Sequence, residues 1–252
     1  MVDADVVDAD RVDAGVDADV LDAARQRQLA TNLLALEERV AAACRAAGRP
    51  RREVRLIAVT KTWPARDVRH LARLGVRDVA ENRDQEAADK SRSCSDLDLV
   101  WHFVGQLQTN KARSVARYTH VVHTLDRPRL VTALSRGAAA HGRSVRALVQ
   151  VRLDDDPRLG GIAPAQLGAL ADLVERAEGL ELTGLMAIAP LGAEPRRVFA
   201  RLADLAADLR MEHPQAGWIS AGMSGDLEAA IQHGATHLRI GTALLGSRPP
   251  LR

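Results

Sequence analysis

The sequence predicts an α/β protein built as a single (β/α)8 barrel, and three observations carry that prediction. Its 252 residues suit one such barrel, a fold that commonly runs about 200–250 residues as one domain. From Arg52 onward, eight short apolar segments alternate with amphipathic stretches, and strands that are apolar throughout fit a parallel sheet buried on both faces. Eight strands also close into a ring that side chains can fill. An open doubly wound sheet is the alternative, but no GxGxxG follows the first strand, so its dinucleotide-binding version loses its main support. Hydrophobic residues at 46% and charged residues at 27% supply a sizeable core and exclude fibrous or wholly disordered readings.

Residues 1–22 hold eight Asp and one Arg, a net charge of −7, while the remaining 25 acids and 34 bases give the body +9. Like charges in a low-complexity Asp/Ala/Val run repel, so this segment is expected to be a disordered acidic tail, with residues 23–252 forming the folded unit. From about Ala23 the pattern turns helical: Leu29, Leu33, Leu36, Val40 and Cys44 share a face, and Gly48 and Pro50 stop the helix. The strand expectations are residues 54–60, 78–80, 99–104, 120–125, 145–153, 181–189, 218–221 and 237–240. Helices are expected over 64–74, 83–92, 110–117, 128–141, 164–177, 195–211 and 227–233.

A basic body suggests anionic ligands. The six aromatic residues, Trp63, Trp101, Phe103, Tyr118, Phe199 and Trp218, are scattered and offer no base-stacking platform, which argues against nucleic acid. Cys44 and Cys94 form no CxxC pair, and the N-terminus lacks the basic and apolar regions of a signal peptide; a soluble cytoplasmic protein is expected. His120 and His123 are three apart on a strand and point to opposite faces, so no metal site is expected.

Barrel chemistry sits at the C-terminal ends of the strands. Strand one delivers Lys61 there, where partial desolvation frees an amine to condense with an aldehyde or ketone. Strand two is followed by Glu81 and Asn82, the latter either a ligand contact or a helix cap. Strand three ends in the polar loop WHFVGQLQTNK, with His102 read as a satisfied core residue. Asp154, Asp155 and Asp156 after strand five read as a solvated turn before Pro157. GLMAIAP of strand six supplies an apolar wall. Strand seven runs into SAGMSGDLEAAI, with Ser224 as helix N-cap and Asp226 in the first turn; strand eight gives HLRIGTALLG, with Arg239 on the strand and Gly241 and Thr242 just past it. Loops after strands seven and eight are frequent phosphate sites in barrels, so a phosphate pocket faces a Schiff-base lysine.

Together LIAVTKTWP, AENRDQE, WHFVGQLQTNK, GLMAIAP, SAGMSGDLEAAI and HLRIGTALLG resemble the YggS/PROSC family of pyridoxal phosphate homeostasis proteins over about residues 25–247. The resemblance implies a fold-type III barrel similar to the N-terminal domain of alanine racemase, with pyridoxal 5′-phosphate (PLP) held as an aldimine on Lys61. It further implies cofactor contacts from Asn82, Ser220, Met223, Ser224, Arg239, Gly241 and Thr242, the phosphate falling to Ser224, Gly241 and Thr242, and Arg239 facing either the phosphate or the pyridine nitrogen. Two departures stand out: Ala80 occupies a usual glycine position, and Leu159, beside Arg158, stands where relatives often carry lysine. The implied role is a carrier that maintains intracellular vitamin B6 with little or no turnover, its transient recipients being PLP-dependent apoenzymes; since nothing in the sequence requires a partner subunit to complete the site, a monomer is expected. The alternatives are an amino-acid racemase, which needs a second acid/base group opposite the lysine, and a cofactor-free Schiff-base aldolase. Against the racemase, Tyr118 is the only tyrosine and falls at a helix end, and the chain stops six residues after Gly246, leaving no room for a second domain. An aldolase would rely on Glu81.

Overall fold

A computed structural model describes residues 9–153, 160–190 and 192–247. Residues 1–8 of the acidic segment, together with Asp154, Asp155, Asp156, Arg158 and Leu159, lie outside the described residues.

Eight strands, β1 (Arg55–Val59), β2 (Asp78–Glu81), β3 (Val100–Phe103), β4 (Val121–Leu125), β5 (Val145–Gln150), β6 (Leu180–Met186), β7 (Trp218–Ser220) and β8 (His237–Ile240), form a closed barrel in chain order. Every pairing is parallel, and β8 closes on β1 with Ile57 opposite Arg239. All eight expected strands are present: β8 keeps its expected bounds, β2 gains Glu81, β6 starts one residue early at Leu180, and the others are shorter by one to three residues. β5 and β6 each end three residues early, and past β5 the bridge Val151–Ile162 continues the pairing.

Helix α1 (Ala9–Ala46) precedes the barrel; α2 (Ala65–Arg73), α3 (Asp84–Ser93), α4 (Ala112–Tyr118), α5 (Pro128–Ala140), α6 (Leu167–Glu175), α7 (Pro195–Glu212) and α8 (Leu227–Gln232) return the chain between or after strands, and a one-turn α9 (Thr242–Leu245) follows β8. The described part of α1 begins at Ala9, ahead of the start near Ala23 that the apolar periodicity predicts. Alanine favours helix, and Asp22 pairs with Arg66 Nε at 3.2 Å and lies 3.0 Å from His70 Nε2, so two partners on α2 compensate part of the local repulsion. α1 ends as expected, with Gly48 at φ +65°. The Arg49 N–H donates to Cys44 O at 2.9 Å and the Gly48 N–H to Arg45 O at 3.1 Å, the paired bonds of a Schellman stop.

The main core lies between the strands' outer faces and the helices. Leu29, Leu36, Val40 and Cys44 of α1 join it with Val68 and Leu71 of α2. Alternation along each strand sends the other residues inward. Ile57, Val59 and Ala80 form one small cluster with Val104, and Val121, Leu148 and Met186 form another. The same inward parity carries Asp78, His102, His123, Ser220 and Arg239. At Gly184 the barrel wall is tight: a Cβ would lie 1.9 Å from Trp218 O, and φ is +151°, so only glycine fits there.

Candidate active site at the barrel mouth

At the C-terminal end of the barrel a cavity of about 290 Å³ opens, lined by Lys61, Met223, Ser224, Arg239, Gly241 and Thr242 with Val59, Trp63, Val104, Ile188, Gly225 and Gly246. Its size is at the small end for ligand sites, and its make-up, an apolar body with a few convergent polar groups, is typical of them. Six of the eight expected cofactor contacts therefore meet in one place. Ser220 stands one step behind them, fully buried, its hydroxyl accepting from Arg239 Nη1 at 2.7 Å. Asn82 is not among the lining residues; it packs against Gly105, whose added Cβ would come within 2.1 Å of Asn82 O.

Lys61 emerges two residues past β1, half-buried, and its backbone is held from both sides. Lys90 of α3, 7% exposed, donates to Thr60 O (2.7 Å), Glu81 Oε1 (2.7 Å) and Glu86 Oε1 (2.6 Å). The Thr62 N–H donates to Glu86 Oε1 at 2.6 Å. Thr62 has φ +70°, a left-handed conformation that costs a β-branched residue about 1–3 kcal/mol. A buried ion cluster thus pins the strained turn that carries the lysine. Sequence reading missed Lys90 and Glu86; the i, i+4 spacing of Glu86 and Lys90 on α3 was the available signal.

Glu81, the group an aldolase would rely on, is not among the lining residues. It follows inward-facing Ala80, so alternation turns it outward to Lys90 and to Thr60, whose Oγ1 donates to it at 2.7 Å. Burial pushes its carboxyl above the usual range against the pull of those partners. Tyr118, at the end of α4 as expected, donates to Asp84 Oδ1 at 3.4 Å and is not among the lining residues. Burial and the Asp84 carboxylate push its hydroxyl well above its usual range.

Beside the end of β1, which β8 adjoins, the loops after β7 and β8 are tied to each other. Ser224 is not the N-cap of α8, a correction; that position belongs to Asp226, whose Oδ1 accepts the Met223 N–H at 2.5 Å. The Ser224 Oγ instead accepts the Ala243 N–H at 3.1 Å. Gly222, at φ +90°, permits this turn: a Cβ would meet Ala230 Cβ at 2.6 Å. The small residues Ser224, Gly225, Gly241 and Thr242 leave hydroxyls and backbone along one lip of the cavity, a donor set suited to an anion.

Arg239, 5% exposed, has its Nη2 bonded to Ala187 O at 2.9 Å. Its guanidinium is therefore tied to the ends of β6 and β7; burial lowers its pKa to about 10, leaving it a cation at neutral pH. From outside, α1 braces these loops: Arg39 Nη1 donates to Ser224 O (2.9 Å), Asn32 to Leu244 O (2.9 Å) and Arg25 Nη2 to Leu245 O (3.0 Å). Arg25 also covers Trp63 at 4.4 Å. Among the described residues no cluster of His, Cys, Asp or Glu is arranged to hold a metal, and no helix is long and apolar enough to cross a membrane.

The residues fit PLP by their chemistry: an amine at one wall, an anion-suited lip at another, an apolar body between them and a buried cation beneath. The family described as "Alanine racemase, N-terminal domain" matches residues 31–249. The chain is 43% identical over 243 residues to the pyridoxal phosphate homeostasis protein of Mycobacterium tuberculosis H37Rv, covering 89% of this chain and 94% of the relative. With the protein of the same name from Escherichia coli K12 it shares 38% identity over 226 residues, covering 87% and 97%. The structure of PipY from Synechococcus elongatus without PLP superimposes with TM-score 0.79 at 37% identity, covering 86% of this chain and all of that one, and the form with PLP bound with TM-score 0.76. Alanine racemase of Clostridium difficile, at 13% identity and TM-score 0.69 over 57% of its length, shares the fold alone. From its motifs, its barrel and these relatives together, this chain belongs to the pyridoxal phosphate homeostasis protein family, built on the alanine racemase N-terminal domain.

Proposed function

We propose that this protein binds pyridoxal 5′-phosphate covalently through Lys61 and serves PLP homeostasis as a carrier with little or no turnover. The observation that carries the reading is the convergence of Lys61 and the Ser224–Thr242 lip on one cavity, and the PLP-bound form of PipY supports it. When bound, the cofactor supplies a reactive aldehyde, which attachment to an amine keeps out of side reactions.

This chain's residues bind and orient. Lys61 Nζ is the attachment point, and the Lys90–Glu86 clamp sets its direction. Ser224, Gly225, Gly241 and Thr242 receive the phosphate with hydroxyl and backbone donors. Val59, Val104, Ile188 and Trp63 exclude water from the ring faces. Arg239, tied back toward β6 and β7, faces the ring in preference to the phosphate; a permanent cation there disfavours a proton on the pyridine nitrogen and weakens the cofactor as an electron sink. With neither Tyr118 nor Glu81 lining the cavity, the residues favour storage over racemisation or aldol chemistry.

A monomer is our reading of the assembly, and two buried free thiols, Cys44 and Cys94, favour a reducing cytoplasm. Transient recipients are PLP-dependent apoenzymes. The decisive experiment is borohydride reduction of the PLP-loaded protein followed by peptide mass mapping. A pyridoxyl group on Lys61 that is absent from Lys61→Ala supports the reading, and an adduct retained in that variant overturns it.

A further inference from the structure

A single chain of buried polar groups crosses the barrel interior from its N-terminal end to the cavity. Asp78, on the first residue of β2, accepts from His102 Nε2 at 3.0 Å; His102 Nδ1 lies 2.8 Å from His123 Nε2; His123 Nδ1 lies 2.9 Å from Ser220 Oγ; and Ser220 Oγ accepts from Arg239 Nη1 at 2.7 Å. Its members come from β2, β3, β4, β7 and β8, and each is no more than 7% exposed.

The direction of every bond follows from one end. Burial favours the neutral Asp78 carboxyl, but the hydrogen bond and electrostatic interaction with His102, followed by those with Arg55, outweigh it and hold the group below its usual range; with Arg55 Nη1 3.3 Å from its Oδ1, it is an ionised acceptor. Burial keeps both imidazoles neutral: it lowers His102 against the pull of Asp78, and lowers His123 further, with His102, Arg239 and His237 adding to the effect. A neutral imidazole has one N–H and one acceptor nitrogen. His102 must therefore carry its proton on Nε2 and accept at Nδ1; His123 must donate from Nε2 and accept at Nδ1; and the Ser220 hydroxyl must donate to His123, leaving its lone pair for Arg239. Reversal would put both His123 and Arg239 N–H groups on Ser220 Oγ and strand the serine proton. His237, the neighbouring titratable group, is pushed down to about 3 by burial; its Nδ1 bonds Thr236 Oγ1 at 2.8 Å and its ring lies on Trp218, so it is no member of the chain.

We propose that Asp78 is a positioning residue for Arg239, acting through the donor direction that it imposes on His102, His123 and Ser220. Resting on the PLP-binding reading for its consequence, this makes an aspartate at the far end of the barrel a determinant of how the guanidinium meets the cofactor ring. The network itself is independent of any ligand and is tested first without one.

Long-range ¹H–¹⁵N correlation spectra of cofactor-free protein, with His102 and His123 assigned by substitution, are expected to show both as Nε2–H tautomers at neutral pH. Either ring found protonated or as Nδ1–H overturns the proposal with no variant required. Asp78→Asn keeps a carbonyl acceptor and should retain both tautomers, whereas Asp78→Ala should convert His102 and His123 wholly or partly to Nδ1–H. After reconstitution with PLP, Asp78→Ala is expected to shift the visible absorption maximum and to bind about tenfold more weakly, in line with the loss of a hydrogen bond to a charged group, while Asp78→Asn matches the wild type. Reversed tautomers with an unchanged cofactor spectrum and affinity would overturn the positioning role. Wild-type tautomers as described in a protein that takes up no PLP would instead refute the functional reading alone.

Discussion

Replacing Lys90 by Met should show how much the clamp behind Lys61 contributes. In the wild type the ammonium donates to Thr60 O, Glu81 Oε1 and Glu86 Oε1 at 2.6–2.7 Å, and Glu81 is fully buried with Oε2 already lacking a partner. Methionine fills similar volume but leaves the Glu81 carboxylate uncompensated. Removing one partner of a buried pair costs about 3–5 kcal/mol; for a chain of this size that is a drop in Tm of roughly 6–20 °C. Glu86, a quarter exposed, regains water and adds little. The deficit must depend on pH. Burial already raises the Glu81 carboxyl, and loss of Lys90 raises it further. The folded variant then retains a proton that the unfolded chain gives up near pH 4.3, so stability falls as pH rises above that value until the raised folded-state pKa is passed. Urea unfolding of wild type and Lys90→Met at pH 5 and pH 8 is the assay, with the larger deficit expected at pH 8. A difference below about 1 kcal/mol, equal at both pH values, is what a surface ion pair would give, and would refute the reasoning. The variant should also lose borohydride-trapped cofactor at Lys61, since Thr60 and Thr62 lose their shared anchor.

Arg39→Ala removes an exposed pair with Glu228, worth about 0–1 kcal/mol, together with the bond to Ser224 O; PLP affinity, followed by fluorescence titration, should fall several-fold while Tm barely moves. Gly105→Ala places a methyl 2.1 Å from Asn82 O and should destabilise by about 1–3 kcal/mol or more, measurable by calorimetry. Gly184→Ala, with 1.9 Å to Trp218 O, should leave little soluble folded protein on expression. Deleting residues 1–18 should leave PLP affinity unchanged, whereas extending the deletion through Arg25 should weaken it by uncovering Trp63 and freeing Leu245 O; equal affinities for the two truncations would count against the bracing role of α1.

Much of this protein is legible along the chain because its determinants are local. The eight strands and the returning helices follow from runs of apolar residues and their period, and Lys61, Gly241 and Thr242 are found simply by asking what stands just past a strand. What fails is of two kinds. The start of α1 ahead of Ala23 depends partly on Arg66 and His70, partners some 45 residues away in sequence that Asp22 meets only once α2 is in place. The role of Glu81 depends on which way one residue of β2 faces, and the alternation that decides it is anchored by Asp78 and Ala80 pointing inward.

By itself the sequence determined the barrel, the lysine at its mouth, the small-residue loops after strands seven and eight and the family. Only the tertiary structure decided that Ser224 bonds Ala243 across two loops and does not cap α8, that Lys90 and Glu86 grip the turn around Lys61, and that Asp78, His102, His123, Ser220 and Arg239 join into one line. Those groups lie on five strands spread across more than 160 positions of chain. A hydrogen bond depends on angstrom-scale distance and on which atom carries the proton, and closure of the barrel is what fixes both.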